Sequence, residues 1–183
     1  MLEIVKLFIS ALVGASLAYL VTMRVENQRI KRRRVAVGTV IQAELAHLYR
    51  ELSDHDTKME GYVKRVINTI GVAQKGDLPK LEVGDGFFSV YQSTISEIGL
   101  FDAETSYGVV YCYANIRKFI RDQENLISEF DTLGNSNMWG IRVKNVHDHE
   151  TALFQQIERM MTRLAQQSRA IPFTPRPRHQ GRN

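Results

Sequence analysis

Apolar positions from Ile41 to Ile70 recur at steps of three and four. Ile41, Leu45, Leu48, Leu52, His55, Met59, Tyr62, Val66 and Ile70 form one stripe. A helix that turns once in about 3.6 residues lines such positions along one side. The pattern predicts one long helix from about Arg24 to Ala73, with Ser53-Asp54-His55-Asp56 as the place where a turn competes. Residues 75–86 (KGDLPKLEVGDG) are dense in Gly, Asp and Pro and read as a loop. Leu81–Val83 is the single short run with strand character. Asp85 is placed to cap a second helix from Phe87 to about Ile98, closed by Gly99. Asp102 is placed to cap a third, with Glu104 in its first turn and Gly134 just past its end. Its expected buried side is Tyr107, Val110, Tyr111, Ala114, Phe119, Leu126 and Phe130. Residues 135–140 (NSNMWG) read as a turn, with Trp139 packed on the bundle end. A last helix follows from about Ile141 to Ala170, with Ala152, Leu153, Ile157, Met160, Met161 and Leu164 on its apolar face. Pro172, Pro175 and Pro177 then end helical structure, and the tail 171–183 (IPFTPRPRHQGRN) reads as disordered.

The beginning of the chain has a different pattern. Leu7 to Met23 is 17 residues without a charge, and Leu2 to Met23 is broken only by Glu3 and Lys6. A bilayer core about 30 Å thick needs roughly 20 apolar residues in a helix, and Lys6 can snorkel. A secretory signal peptide carries its positive charge before the apolar core. Here six basic residues follow it: Arg24, Arg29, Lys31, Arg32, Arg33 and Arg34. A single transmembrane span is therefore expected, ahead of a cleaved signal or a buried core helix. The basic flank orients it with the N-terminus outside and the C-terminal domain in the cytoplasm, at the inner (plasma) membrane. Ser10, Gly14 and Ala18 stand four apart in the span. Small residues at that spacing let two helices approach closely, which predicts a self-association face and a homo-oligomer.

Charge sharpens this division. The net charge is +4, yet residues 24–34 alone carry +5 and the tail carries +3. The folded body is left at about −4. Arg29, Lys31, Arg32, Arg33 and Arg34 are thus expected to face anionic lipid, at roughly 1 kcal/mol per residue. Membrane lipids are the expected partner, together with a protein partner of unknown identity. RNA is not favoured, because a nucleic-acid domain spreads its basic residues over the folded surface. The 183 residues, 44% hydrophobic and 24% charged, exclude wholesale disorder and a multi-pass membrane protein. The single cysteine, Cys112, excludes a disulfide framework and a cysteine-based zinc site.

Candidate chemistry is sparse. Arg142 and His147 make an R-x4-H spacing in RVKNVH, and His149 makes R-x6-H with the same arginine. Imidazole can move a proton to or from a ribose hydroxyl, and a guanidinium can grip phosphate. Five residues along a helix turn the two side chains about 140° apart. Arg50 and His55 repeat the spacing in mid-helix, where no site is expected. His147, Asp148, His149 and Glu150 invite a metal reading, but the two histidines are two apart and point to different faces of a helix, and no second ligand cluster offers itself, so no metal site is expected, and no cofactor. Phe87, Phe88, Tyr91, Phe101, Tyr107, Tyr111 and Tyr113 are expected to pack between the second and third helices, and Cys112 to be a buried small hydrophobe.

An R-x4–6-H motif opening the last helix of a four-helix bundle resembles the HEPN family of ribonucleases and their degenerate relatives. The resemblance implies catalysis by Arg142 and His147 across a dimer interface, without metal. The residue after the arginine is often polar in that family, whereas here it is Val143. A single span, a basic juxtamembrane helix and such a bundle also resemble the small membrane accessory proteins found beside RNA-targeting CRISPR effectors. That resemblance implies pore assembly in antiviral defence, with a motif that serves poorly as a nuclease. The expected fold is all-α: an anchor (1–23), a basic juxtamembrane segment (24–34), a four-helix, HEPN-like bundle (35–170) and a tail (171–183). The expected function is a membrane-anchored, self-associating, pore-forming or membrane-perturbing accessory. The alternatives are a tethered ribonuclease and a non-catalytic membrane adaptor.

Overall fold

The computed structural model describes residues 2–68, 75–81, 86, 88–134 and 136–168. They form four helices and no strand among the described residues. Helix α1 runs from Leu2 to Asn68 without a break. At about 1.5 Å per residue it is on the order of 100 Å long. Helix α2 is short, Ser89–Thr94, and tightens into a 3-10 segment, Ile95–Leu100. Helices α3 (Ala103–Leu133) and α4 (Asn137–Ser168) complete the fold. A single 3-10 turn, Lys75–Asp77, lies between α1 and α2.

The stripe read from the sequence is the seam of α1. Ile41, Leu45, Leu48, Leu52, His55, Met59 and Tyr62 are all buried, Val66 is half-buried, and Ile70 lies outside the described residues. Ser53–Asp56 makes no turn, because His55 continues the stripe inward. Helix α4 packs on both α1 and α3. It buries Trp139, Val143, Val146, Glu150, Leu153, Ile157, Met160 and Leu164, the same three-four alternation. Ala152, expected on that face, is exposed.

Several expected boundaries and faces shift. The turn expected at 135–140 is shorter, since α4 already begins at Asn137. Trp139 therefore sits in its first turn. Its ring meets Phe130 edge-on at 5.0 Å, and its indole N–H donates to Tyr62 Oη at 3.2 Å. Burying that ring between three helices favours helix over turn here. The second helix begins at Ser89 and has no side-chain cap; Phe87, Asp85, Val83 and the tail 171–183 lie outside the described residues. Asp102 does cap α3, accepting from Thr105 N–H at 2.7 Å, and Gly134 closes it.

The buried face of α3 differs from expectation in its first half. Tyr107, Val110, Tyr111 and Ala114 are exposed, and Tyr107 and Tyr111 stack on each other at the surface. Val109, Cys112, Tyr113 and Ile116 face inward instead. Both sets have helical spacing, so either could form the inner stripe. The second is chosen because Tyr113 stacks on Tyr91 at 4.1 Å and donates its hydroxyl to Glu44 of α1 at 2.5 Å. Glu44 also accepts from the N–H groups of Val90 and Tyr91. This one buried carboxylate ties α1, α2 and α3 together; burial, with the facing carboxylate adding to it, pushes the Tyr113 hydroxyl pKa well up.

From Ser10 to Arg33 every residue of α1 is exposed. This arm stands clear of the bundle, which starts at Val37 and Gly38. Among the described residues, no helix is long and apolar enough to cross a membrane. The transmembrane span expected over 1–23 thus gains no support from the fold. The apolar run begins at Leu7, and the side chains of Leu7, Phe8 and Ile9 lie outside the described residues.

Candidate functional site

The α1 stripe from Ile41 to Tyr62 and the α4 stripe from Trp139 to Leu164 are apolar except in one layer. There His55 of α1 and Glu150 of α4 occupy stripe positions and meet, 95 residues apart in sequence. The pair is buried, with His55 Nδ1 at 2.7 Å from Glu150 Oε1. His55 Nε2 lies 3.4 Å from the Pro79 carbonyl, so the residue also fastens the segment after the 3-10 turn. Phe119 of α3 closes one side of the His55 ring edge-on.

One step around α4, His147 faces the same layer from the rim. Its Nδ1 is 3.5 Å from Asp56 Oδ1 and 3.9 Å from Glu150 Oε2. The facing Glu150 carboxylate is the main cause that raises the His147 pKa; burial opposes it and Asp56 adds to it. Asp56, His147 and Glu150 each offer one ligand atom, and these atoms lie within 4.8 Å of one another. The expectation of no metal-ligand cluster rested on His147 and His149. Those two do point apart: His149 Nδ1 faces Asp122 of α3 at 3.2 Å. The remaining ligands come instead from Glu150, three residues on, and from a helix distant in sequence.

Arg142 belongs to a different seam. It donates to both Glu129 oxygens of α3, at 2.8 and 3.4 Å, and that carboxylate holds the guanidinium charged. Arg142 and His147 are thus turned to α3 and α1 and make no joint site in one chain. The R-x6-H partner, His149, does share the α3 side with Arg142, two turns along. Arg50, the other R-x4-H arginine, donates back to its own helix at Ala46. Its partner by spacing, His55, lies at the centre of the cluster, where no site was expected.

The remaining sequence-derived positions are on the arm. Ser10, Gly14 and Ala18 are exposed, and a Cβ added at Gly14 would meet nothing within 4 Å. Arg29, Lys31 and Arg32 are exposed. Arg33 instead donates to Glu97 of the 3-10 segment at 2.7 Å, and Arg34 is half-buried, because the bundle begins beside them. Between α3 and α4 a cleft of about 510 Å³ is lined by Tyr111, Lys118, His149, Gln156, Arg159 and Arg163.

The sequence does not mark Glu44 or Asp56 as site residues, and it offers Glu150 only beside His147, Asp148 and His149 in a metal reading that it does not favour. The usable signal is a polar residue inside an apolar stripe: Glu150 between Val146 and Leu153, and His55 between Leu52 and Met59. Taken together, the described residues define an all-α helical bundle with a long projecting arm and a buried His55–Glu150 pair at the α1–α4 seam. Comparison with protein families, with curated proteins and with solved structures finds no match.

Proposed function

We propose that this protein is a membrane-anchored, self-associating helical protein whose bundle is held at the surface by its arm. One observation carries the reading: Leu12, Val13, Leu17, Tyr19, Leu20, Val21 and Met23 are all exposed, on the stretch of α1 that projects beyond the bundle. Contiguous apolar surface of this kind marks a contact with lipid or with another protein surface. A helix apolar on all sides suits lipid, whereas a soluble helix shows a single stripe. The polar groups in the arm are compatible with that setting. Ser16 and Thr22 donate their hydroxyls to the carbonyls of Leu12 and Ala18 one turn back, each at 2.8 Å. Such back-bonding satisfies a hydroxyl in a medium without water. Arg29, Lys31 and Arg32 then stand where anionic headgroups would meet them.

The orientation that fits the basic flank places the bundle in the cytoplasm. Self-association rests on Ser10, Gly14 and Ala18, and a ring of such spans would make the protein a pore-forming or membrane-perturbing accessory. The ribonuclease alternative has less support, since Arg142 and His147 each have other partners. The test is flotation of full-length protein with vesicles containing anionic lipid, followed by its molar mass in mild detergent. Flotation that is lost on deleting residues 2–23, with a discrete assembly above a dimer, supports the proposal. Gly14→Leu should break the assembly and leave flotation intact, because the added side chain enters open space in the single chain. Full-length protein that stays in the vesicle-free fraction overturns the anchor. An assembly that survives Gly14→Leu overturns the proposed face. Dye leakage from the same vesicles checks the pore.

A further inference from the structure

The cluster between α1 and α4 is left unfinished by its own hydrogen bonds. Glu150 is fully buried; Oε1 is engaged by His55, while Oε2 makes no hydrogen bond. Oε2 faces His147 Nδ1 at 3.9 Å, beyond hydrogen-bond reach. His147 Nδ1 also makes no hydrogen bond, although it lies 3.5 Å from Asp56 Oδ1. Burying a carboxylate oxygen with no donor is costly. The separations have another meaning. Ligand atoms bound at about 2.1 Å to one tetrahedral ion stand about 3.4 Å from each other. The 3.5 and 3.9 Å spacings to His147 are close to that, and all three ligand atoms lie within 4.8 Å of one another, so side-chain adjustments would close them on an ion.

We propose that Asp56, His147 and Glu150 bind a divalent first-row transition-metal ion, with Zn²⁺ the best-fitting member, as a bridge between α1 and α4. One imidazole nitrogen and two carboxylate oxygens form a mixed donor set that suits zinc better than magnesium, which prefers six oxygens in octahedral geometry. His147 and Glu150 are three apart on one helix face and converge from the same side. Asp56 completes the set from the facing helix. The Asp56 and His147 side chains are 19% and 18% exposed, so the ion has an entry path and a water can take the fourth position. Glu150 is sealed behind them. His55 is a positioning residue: with its Nδ1 protonated it donates to Glu150 Oε1 and directs Oε2 at the ion. A divalent cation also offsets the two carboxylates that share this half-buried site.

The test uses full-length protein in mild detergent, titrated calorimetrically with Zn²⁺ alone and with Mg²⁺ alone. One Zn²⁺ per chain is expected, with no heat from Mg²⁺. Asp56→Asn and His147→Gln should each weaken Zn²⁺ by about 100-fold or more, and His55→Gln by about 10- to 100-fold. Equal Zn²⁺ affinity in wild type, Asp56→Asn and His147→Gln overturns the proposal, as does a wild type that binds no Zn²⁺. Should either variant fail to fold, Co²⁺ added to wild type decides the matter. A visible d–d band of four-coordinate strength, without a thiolate charge-transfer band, supports an oxygen and nitrogen site. Absence of the d–d band overturns it, and a thiolate band would move the site to Cys112.

Discussion

The two halves of α1 share one unbroken backbone and have opposite surfaces. From Ser10 to Arg33 every residue is exposed, including seven large apolar side chains between Leu12 and Met23. From Val37 to Tyr62 most apolar residues lie in one stripe and are buried against α4, α2 and the 3-10 segment, with Val40 left outside it. Helical propensity therefore says nothing about where each half belongs. The distribution of apolar residues around the axis does. A stripe needs one neighbour, and a helix apolar all round needs an apolar medium or several neighbours.

Four experiments break or sharpen this contrast. The largest effect is chemical. Burial pushes the Cys112 thiol up to about 12, so at pH 8 its thiolate is about a thousandfold rarer than that of a free cysteine. Folded protein should resist maleimide at Cys112, while Gln28→Cys, at the exposed base of the arm outside the proposed span, should label at once. Rapid labelling of Cys112 in the native bundle would contradict its burial.

Next is packing. Leu48 is fully buried, and Leu48→Ala should cost about 2–5 kcal/mol in denaturant unfolding. Leu17→Ala, in the arm, should change bundle stability by less than about 0.5 kcal/mol and show itself only in weaker vesicle binding. Equal effects on unfolding would mean that the arm packs on the bundle.

The third experiment makes one substitution twice. A Cβ at Gly38 collides with the Ser168 side chain, where α1 first meets the end of α4. Gly38→Ala should destabilise by about 1–3 kcal/mol, as overpacked sites do. Gly14→Ala meets nothing, and should raise arm helicity by the usual gain of about 1 kcal/mol in helix propensity. Thermal melts and circular dichroism of the two variants read the opposite signs.

The smallest effect concerns the junction. Arg33 reaches from the base of the arm to Glu97, and that bond holds the Glu97 carboxyl below its ordinary value. A depressed carboxyl stabilises the contact at neutral pH and loses that contribution as pH falls through its folded value. Acid, high salt and Glu97→Gln should therefore each loosen the arm's base slightly, read as faster amide exchange in residues 89–100. No change in any of the three would leave the pair without a role.

The fold was legible where one pattern had one interpretation. The α1 stripe, the Asp102 cap and the Gly134 end are all local signals, and the structure keeps them. The first half of α3 was ambiguous because apolar residues occupy two overlapping stripes there. Tyr107 and Tyr111 lost to Cys112 and Tyr113, and the deciding contacts, Tyr91 and Glu44, come from other helices. Trp139 was read as part of a turn because Asn and Gly surround it. Its burial against Phe130 and Tyr62 depends on two distant helices.

The site was less legible than the fold for the same reason. The Arg142 and His147 spacing is visible in sequence, but each side chain finds its partner on a different helix. Glu150 is marked only as a charge inside an apolar stripe, and Asp56 carries no local mark beyond a charge in a helix. The sequence by itself determined the helices, the apolar arm and its basic edge, because periodicity, capping and charge act within a few turns. Only the tertiary structure decided which face of α3 is inner and that Asp56, His147 and Glu150 meet. Those outcomes depend on the antiparallel register of α1 and α4, which is set by side chains about a hundred residues apart rather than by any local preference.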